Sequence, residues 1–543
     1  MADSEKTQTE APVPDADEQD KLLMADGQHN DSYLRSQEEG TLPKTELTVS
    51  DVQTKEKNGD VAASSEEVNL KRELGLFSAV SLIVSVMIGS GIFVSPSSAL
   101  QRAGSVGESL IIWASCGGIS LLGALAFAEL GTVVPQSGAE YSYFRAAFSP
   151  LHKFFGPLPS FLYVWVVVLI LRPAEVAIIV LTFAEYIYSP IASAINAELS
   201  YFKQELLKKL IGTLALGVIT FVNFRSVKLF VSMNNIFSSF KIVICMVVIG
   251  GGIYNLCLGN VENLSSGFEG SKTGLKDIIL AIYSGLWAYD GWSSVVIVSE
   301  EVIKPDKNIP RSIMIGVPLV TCLYTMMNVA YMSVLTVGEM ISVPAVAVAF
   351  GDKILGPLKF IVPVGVALST FSCAMGIQFG VSRLCFVAGR EGHMLESISY
   401  IHVRRYTPAP AVGMQALLTL LFMLSGDIIS LIEFASFLIW TFYGLAFFAL
   451  IVLRKTKADT YRPYKVPIVI PVVLAVLSAV IAGVPIVMDP APEYIAAILF
   501  VLLGVVVYYP LVYKKKRLPC MEKFNYFIQV LMEVVPPAKM PDN

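Results

Sequence analysis

Charge is scarce in this chain: of 543 residues, Asp, Glu, Lys and Arg make up 15%, while 54% are hydrophobic. Apolar runs of about 20 residues recur along it, each long enough to cross roughly 30 Å of hydrocarbon. A water-soluble globule is thereby excluded. Histidine is scarcer still, at four, and the seven cysteines fall mostly inside apolar runs. They show neither metal-ligand spacing nor a disulfide framework, so each reads as a small core residue; Cys257, near a predicted outer helix end, is set apart. His393 and His402 stand nine residues apart, not at the i, i+4 spacing of a helical metal pair, so His393 groups with Arg390 and Glu391 in an inner-loop network. A nucleotide-binding loop, a nucleophile elbow and a basic nucleic-acid face are also missing. An integral-membrane enzyme is therefore the weakest reading, and neither metal nor cofactor is expected.

The formal charge of −4 hides two regions. The first 68 residues hold 17 acidic against 6 basic residues, a net of −11, which leaves +7 for the rest. Residues 1–68 have no apolar periodicity and no secretory core, and are expected to be a disordered acidic cytoplasmic tail carrying a dileucine-type pattern at Glu18–Leu23. Residues 69–514 form the membrane body, and 515–543 a cytoplasmic helix or tail that lies on the inner leaflet or docks under the bundle. Twelve spans are predicted: residues 74–256 hold five, 276–453 five more, and 467–513 the last two. Lys71 and Arg72, Arg225 and Lys228, Lys304 to Arg311, and Lys514 to Arg517 all fall in connections on the N-terminal side, which places both termini in the cytoplasm. Asn263-Leu-Ser265 then lies in an outer loop as a candidate glycosylation acceptor.

The chain is organised around Ile88-Gly89-Ser90-Gly91-Ile92 in the middle of the first span. Gly-Ser-Gly weakens a helix, and a break at mid-depth persists only where protein or a polar cavity satisfies the freed backbone. Two half-helices direct N–H groups at an anion and C=O groups at a cation, which suits an amino-acid zwitterion. Gly and Ser also recur where membrane helices merely touch. The sixth span decides between these readings. Gly285 and Gly291 there bracket Trp287, Ala288, Tyr289 and Asp290, a second interruption where an inverted repeat requires one. Asp290 is costly in lipid and must face a cavity or pair with a base such as Arg172 or Lys241. Glu129, Glu175 and Glu185 compete for the same partners. Trp287, beside the unwound turn, is placed to close over a bound side chain, while Trp292 is assigned to packing.

Met87-Ile-Gly-Ser-Gly-Ile-Phe-Val-Ser-Pro96, Trp287-Ala-Tyr-Asp-Gly-Trp292, Val298-Ser-Glu-Glu301 and Phe350-Gly-Asp352 resemble the light subunits of heteromeric amino acid transporters, the L-type family of the amino acid-polyamine-organocation superfamily. Val387-Ala-Gly-Arg-Glu-Gly-His-Met394, Thr407-Pro-Ala-Pro410 and Leu531-Met-Glu-Val-Val-Pro-Pro537 are similar to the b0,+ type. The resemblance implies an all-α LeuT-like 5+5 inverted repeat with helices 1 and 6 broken. It also implies sodium-independent, one-for-one exchange of external cationic amino acids and cystine for internal neutral ones at the plasma membrane, a lysosomal membrane being the other location. It implies that Ile88, Gly89, Ser90, Gly91 and Ile92 meet the substrate's carboxylate and amine with Ala288 and Ser293 nearby, that Trp287 gates, and that Asp290 serves cationic substrates.

Two departures qualify it. Family members carry a cysteine between spans three and four, disulfide-linked to a single-span glycoprotein heavy chain, and residues 189–205 contain none. Association with such a chain would be noncovalent, would use Cys257, or would be absent. Leu171-Arg-Pro-Ala-Glu175 puts an acid where the family has a small polar residue, and Ser293-Ser-Val-Val is less polar than the b0,+ type, which shifts the expected pocket toward neutral or aromatic side chains. An alternating-access antiporter is the expectation. An exchanger of large neutral or aromatic amino acids, an ion-coupled symporter, and an amino-acid-binding sensor without transport are the alternatives.

Overall fold

The computed structural model describes residues 72–543 apart from 195–199, 344–345, 426–427, 489–491, 517–518 and 538–543. The acidic tail, 1–68, and its dileucine pattern lie outside the described residues.

Apolar sequence has become helix almost throughout. The first run is α1 (Leu76–Met87) and α2 (Gly91–Ala103), parted at Ile88–Ser90. Gly104 ends α2 in the left-handed region, φ 80°, and Ser105 starts α3 (Val106–Val133), its hydroxyl accepting from Glu108 N at 3.3 Å. A short α4 (Glu140–Phe148) leads to α5 (Leu158–Val166), a π-turn at Val167–Leu171, and α6 (Arg172–Ala194). Then come α7 (Tyr201–Arg225) and α8 (Val227–Cys257). The second broken run is α9 (Leu275–Ala288) and α10 (Ser294–Ile297), followed by α11 (Pro305–Val334), which Pro305 opens from the first turn. α12 (Val346–Ile354), α13 (Ile361–Arg390), α14 (Ala409–Ser425), α15 (Ile428–Thr456), α16 (Val469–Met488), α17 (Pro492–Tyr508) and α18 (Pro519–Met532) complete the order.

Among the described residues seven helices are long and apolar enough to cross a membrane, Val106–Val133, Pro305–Val334 and Gly356–Arg390 among them. Other apolar runs are shorter, such as Leu76–Met87, Ala409–Leu424 and Val469–Val484. The breaks explain part of this shortfall, since each divides one run into two pieces.

The segment after the last apolar helix docks. Val534 and Val535 pair antiparallel with His402 and Ile401, and Tyr400, Ala409 and Val534 form a small core flanked by Phe224, Ile528 and Met532. Tyr526, Phe527, Val530 and Leu531 on α18 stay exposed.

Candidate functional site

The first break is held by its carbonyls. Lys241, buried in α8, donates from Nζ to Ser85 O at 2.5 Å and Ile88 O at 2.7 Å. Ser369 Oγ of α13 also donates to Ile88 O, at 2.7 Å, and Cys373 Sγ reaches Val86 O at 3.2 Å. Ser85 Oγ lies 2.6 Å from Ser372 Oγ. Tyr324 of α11 joins the two interrupted runs, its hydroxyl reaching Met87 O at 2.6 Å and Ala288 O at 3.2 Å. The backbone that Gly-Ser-Gly frees is thus satisfied by protein on the carbonyl side. At Gly91 a new helix starts, whose first N–H groups have no partner within it.

The second break packs directly on the first. Gly291 sits at φ 110°, and a Cβ there would stand 2.6 Å from Val86 Cγ1; one on Gly91 would stand 2.7 Å from Ala288 Cα. Glycine is required at both positions by close approach, and at Gly291 also by backbone conformation. A Cβ on Gly89 would meet Cys373 Sγ at 2.9 Å. Notch and break are therefore one device, in which small residues let two interrupted helices touch where each is unwound.

Charge gathers beside this contact. Asp290 Oδ1 accepts from Tyr443 Oη at 2.6 Å, and Asp290 Oδ2 lies 3.6 Å from Arg172 Nη1. The same Arg172 nitrogen binds Glu175 Oε2 at 2.6 Å. Tyr163 donates to the buried Glu140 at 2.8 Å. Asp290 therefore faces the partner that sequence named, yet shares it with a second carboxylate.

Two hollows flank the cluster. One is lined by Tyr163, Arg172, Gly291, Ser293, Ile297 and Gly376 with others. The second is lined by Tyr283, Leu286, Trp287, Asp290, Trp292, Ile439, Trp440 and Tyr443. Trp287 and Asp290 thus meet in one hollow and Ser293 lines the other, while Ile88, Gly89, Ser90, Gly91, Ile92 and Ala288 line neither. Trp292 packs edge-on to Phe127 at 4.8 Å and against Tyr443 at 4.7 Å. Sequence reasoning missed Tyr324, Tyr443 and the Ser369–Cys373 cluster. A run of Ser369, Thr370, Ser372 and Cys373 inside an apolar helix was the available signal.

Several other ionisable groups among the described residues have structural partners. Glu129 is forked by Arg454, Nε at 2.9 Å and Nη2 at 2.5 Å, and Glu185 meets Lys208 at 2.7 Å. Glu301 and Arg383 form a fully buried pair, at 2.6 and 3.2 Å. Arg390 meets Glu300 at 3.2 Å, and Arg145 pairs with Glu391. His393 packs edge-on to Tyr141 and Phe161, and burial pulls its imidazole down to about 4. Asn263 Nδ2 donates to Ser333 O at 3.4 Å, in a short helix between α8 and α9. Cys116, Cys245, Cys373 and Cys385 are buried as expected and Cys257 is exposed, but Cys322 departs from the core assignment and faces outward from α11. The side chain of Cys520 lies outside the described residues. Among the described residues no group of three His, Cys, Asp or Glu is gathered as metal ligands.

The family model described as amino acid permease matches residues 74–532. The b(0,+)-type amino acid transporter 1 of Mus musculus is 43% identical over 478 residues, covering 87% of this chain and 95% of its own length. The cystine/glutamate transporter of Homo sapiens is 39% identical over 475 residues, 87% and 92% of the two chains. The large neutral amino acids transporter small subunit 2 of Mus musculus is 38% identical over 469 residues, 86% and 85%. These relatives are transporters and not enzymes, and the match spans nearly all of the apolar body. The chain therefore belongs to the amino acid permease family, within the group of multi-pass amino acid transporter light subunits that its motifs resemble.

Proposed function

We propose that this chain is a sodium-independent amino acid antiporter, exchanging cationic amino acids and cystine for neutral ones by alternating access. The observation that carries the reading is the contact of two broken helices at Gly91 and Gly291, with Asp290 and Arg172 at its edge and a hollow on each side. Breaks paired in this way support twelve spans in a 5+5 inverted repeat, with both termini cytoplasmic.

The chemistry follows from the termini. N–H groups of Gly91 and Ile92, at the start of α2, suit the substrate carboxylate, and the carbonyl end of α9 suits its ammonium. Ile88, Gly89 and Ser90 shape the approach, Ala288 packs on Gly91, and Ser293 faces the hollow beside Arg172. Asp290 balances a cationic side chain. Trp287, only partly buried, closes the far hollow over it. Lys241 supplies a fixed positive charge to the carbonyls of Ser85 and Ile88, the kind of oxygen set that would otherwise take a metal cation. Sodium is then unnecessary. Exchange is obligatory because the empty carrier leaves the N–H groups at the start of α2 without a substrate carboxylate, so its return is slow.

The names of the relatives support amino acids as substrates. The aromatic lining of the second hollow, with Trp287, Trp292, Trp440 and Tyr443, supports a second reading, an exchanger of large neutral amino acids. A single-span heavy chain is retained as a partner through noncovalent contact or through exposed Cys257, and the plasma membrane as the location.

The test is uptake of labelled arginine, cystine, leucine and phenylalanine into proteoliposomes holding this chain, preloaded with or without leucine, in sodium-free buffer. Arginine uptake that requires internal leucine is expected. Uptake of leucine and phenylalanine alone selects the second reading. Equal uptake without internal substrate removes obligatory exchange, and binding without counterflow makes the chain a sensor.

A further inference from the structure

Arg172 Nη1 lies 2.6 Å from Glu175 and 3.6 Å from Asp290, so one guanidinium serves two carboxylates unequally. Glu175 follows Arg172 on the same helix at i+3, and that bond survives any movement of the broken span carrying Asp290. All three side chains are about nine-tenths buried, at 10%, 8% and 11% exposed. Arg172 lines the hollow of Ser293 and Asp290 that of Trp287, whereas Glu175 is not among the lining residues of either. The shorter bond goes to the carboxylate that lines neither hollow. With all three groups ionised the cluster carries one net negative charge, and Asp290, whose other oxygen accepts from Tyr443 Oη at 2.6 Å, is the carboxylate farther from the guanidinium.

We propose that Glu175 is a specificity-determining positioning residue. By holding Arg172 it leaves the Asp290 carboxylate to a substrate ammonium or guanidinium, so the site accepts cationic side chains even though a fixed arginine stands beside it. Without Glu175 the guanidinium has one carboxylate left, and a buried arginine closes on the acid it can reach. Asp290 is then neutralised from within, and the site favours uncharged side chains. This rests on the exchanger reading above.

The test uses the full chain in proteoliposomes loaded with leucine, measuring KM for arginine and for leucine separately. Glu175→Gln keeps the shape and removes the charge. It is expected to raise KM for arginine relative to leucine by at least about tenfold. The double variant Arg172→Gln with Glu175→Gln again leaves one net negative charge, on Asp290, and is expected to return the arginine-to-leucine ratio toward that of the wild type. A residue that merely satisfied a buried arginine would give no such rescue. The proposal is overturned if Glu175→Gln shifts arginine and leucine alike, or if the double variant lies no nearer the wild-type ratio than the single one. Should Glu175→Gln fail to insert, the double variant decides: a wild-type ratio supports the proposal and a lost arginine preference overturns it. Wild-type protein that exchanges neither substrate sinks the exchanger reading itself. Normal wild-type exchange with an unmoved ratio sinks only the role of Glu175.

Discussion

Lys241→Met is the perturbation that most directly tests how the first break is held. The ammonium makes two short bonds, 2.5 Å to Ser85 O and 2.7 Å to Ile88 O, and the residue is 1% exposed. Charge-assisted hydrogen bonds contribute about 1.5 to 3 kcal/mol each, so roughly 3 to 6 kcal/mol of gross interaction is removed. Two terms offset this. Ile88 O keeps Ser369 Oγ at 2.7 Å, and methionine fills the space without the desolvation cost of a buried charge. A net loss of about 2 to 4 kcal/mol is expected, concentrated at the break. Thermal melting in detergent should fall by several degrees, and arginine–leucine exchange should collapse in both sodium and choline buffer. The variant melting with the wild type and exchanging at its rate would refute the reasoning. A wild type whose exchange depends on sodium would separately remove the idea that Lys241 takes the place of a bound cation.

Three further substitutions test other parts of the site. Asp290→Asn removes the carboxylate that Tyr443 and Arg172 share, so arginine uptake should fall at least about tenfold more than leucine uptake, while equal loss of both would indicate a folding defect. Glu301→Gln strips the fully buried Arg383 of its charge partner, and a destabilisation of about 3 to 5 kcal/mol is expected in detergent melts; an unchanged melt would mean that the pair contributes nothing. Gly291→Ala meets both a φ of 110° and a 2.6 Å approach to Val86, so exchange should be lost in protein that still inserts, and exchange at the wild-type rate would show that the two breaks are not held in such close contact.

Composition alone made the chain a membrane protein, because nothing else accommodates so many long apolar runs with so little charge. The two breaks were also legible, since glycines interrupt both apolar runs where the helices part, at Gly89 and Gly91 in one and Gly291 in the other. Asp290 and its pairing with Arg172 could be named because an ion in lipid needs a partner and few were on offer. What sequence did not supply was the division of Arg172 between Glu175 and Asp290: a difference between 2.6 and 3.6 Å is set by where the turn after α9 falls against the start of α6, a tertiary outcome with no local signature. Tyr324 and Tyr443 were invisible for a related reason. A tyrosine in an apolar helix looks like bulk until the carbonyl or carboxylate opposite its hydroxyl is known.

The two broken runs are also tied together beyond their midpoints, which bears on how they move. At one end Glu73 N and Leu74 N donate to Glu301 O at 3.1 and 3.0 Å, and Ile303 N returns a bond to Leu74 O at 2.9 Å. At the other end Lys272 N donates to Ala103 O at 2.9 Å, Gly107 N to Gly267 O at 2.8 Å, and Ser105 Oγ lies 2.7 Å from Ser271 Oγ. With Tyr324 bridging the centre, the runs 73–107 and 267–303 are stapled at three levels. Parting them at either end would break several hydrogen bonds, each worth about 1 kcal/mol net, whereas moving them together as one unit against the remaining helices breaks none of these. Rocking of the pair is therefore the cheaper route to alternating access. A Ser105→Cys, Ser271→Cys double variant, oxidised to a disulfide, should retain exchange close to its reduced state. Exchange lost on oxidation and restored by reductant, with both single variants unaffected, would mean that this seam opens during the cycle and that the two runs move apart.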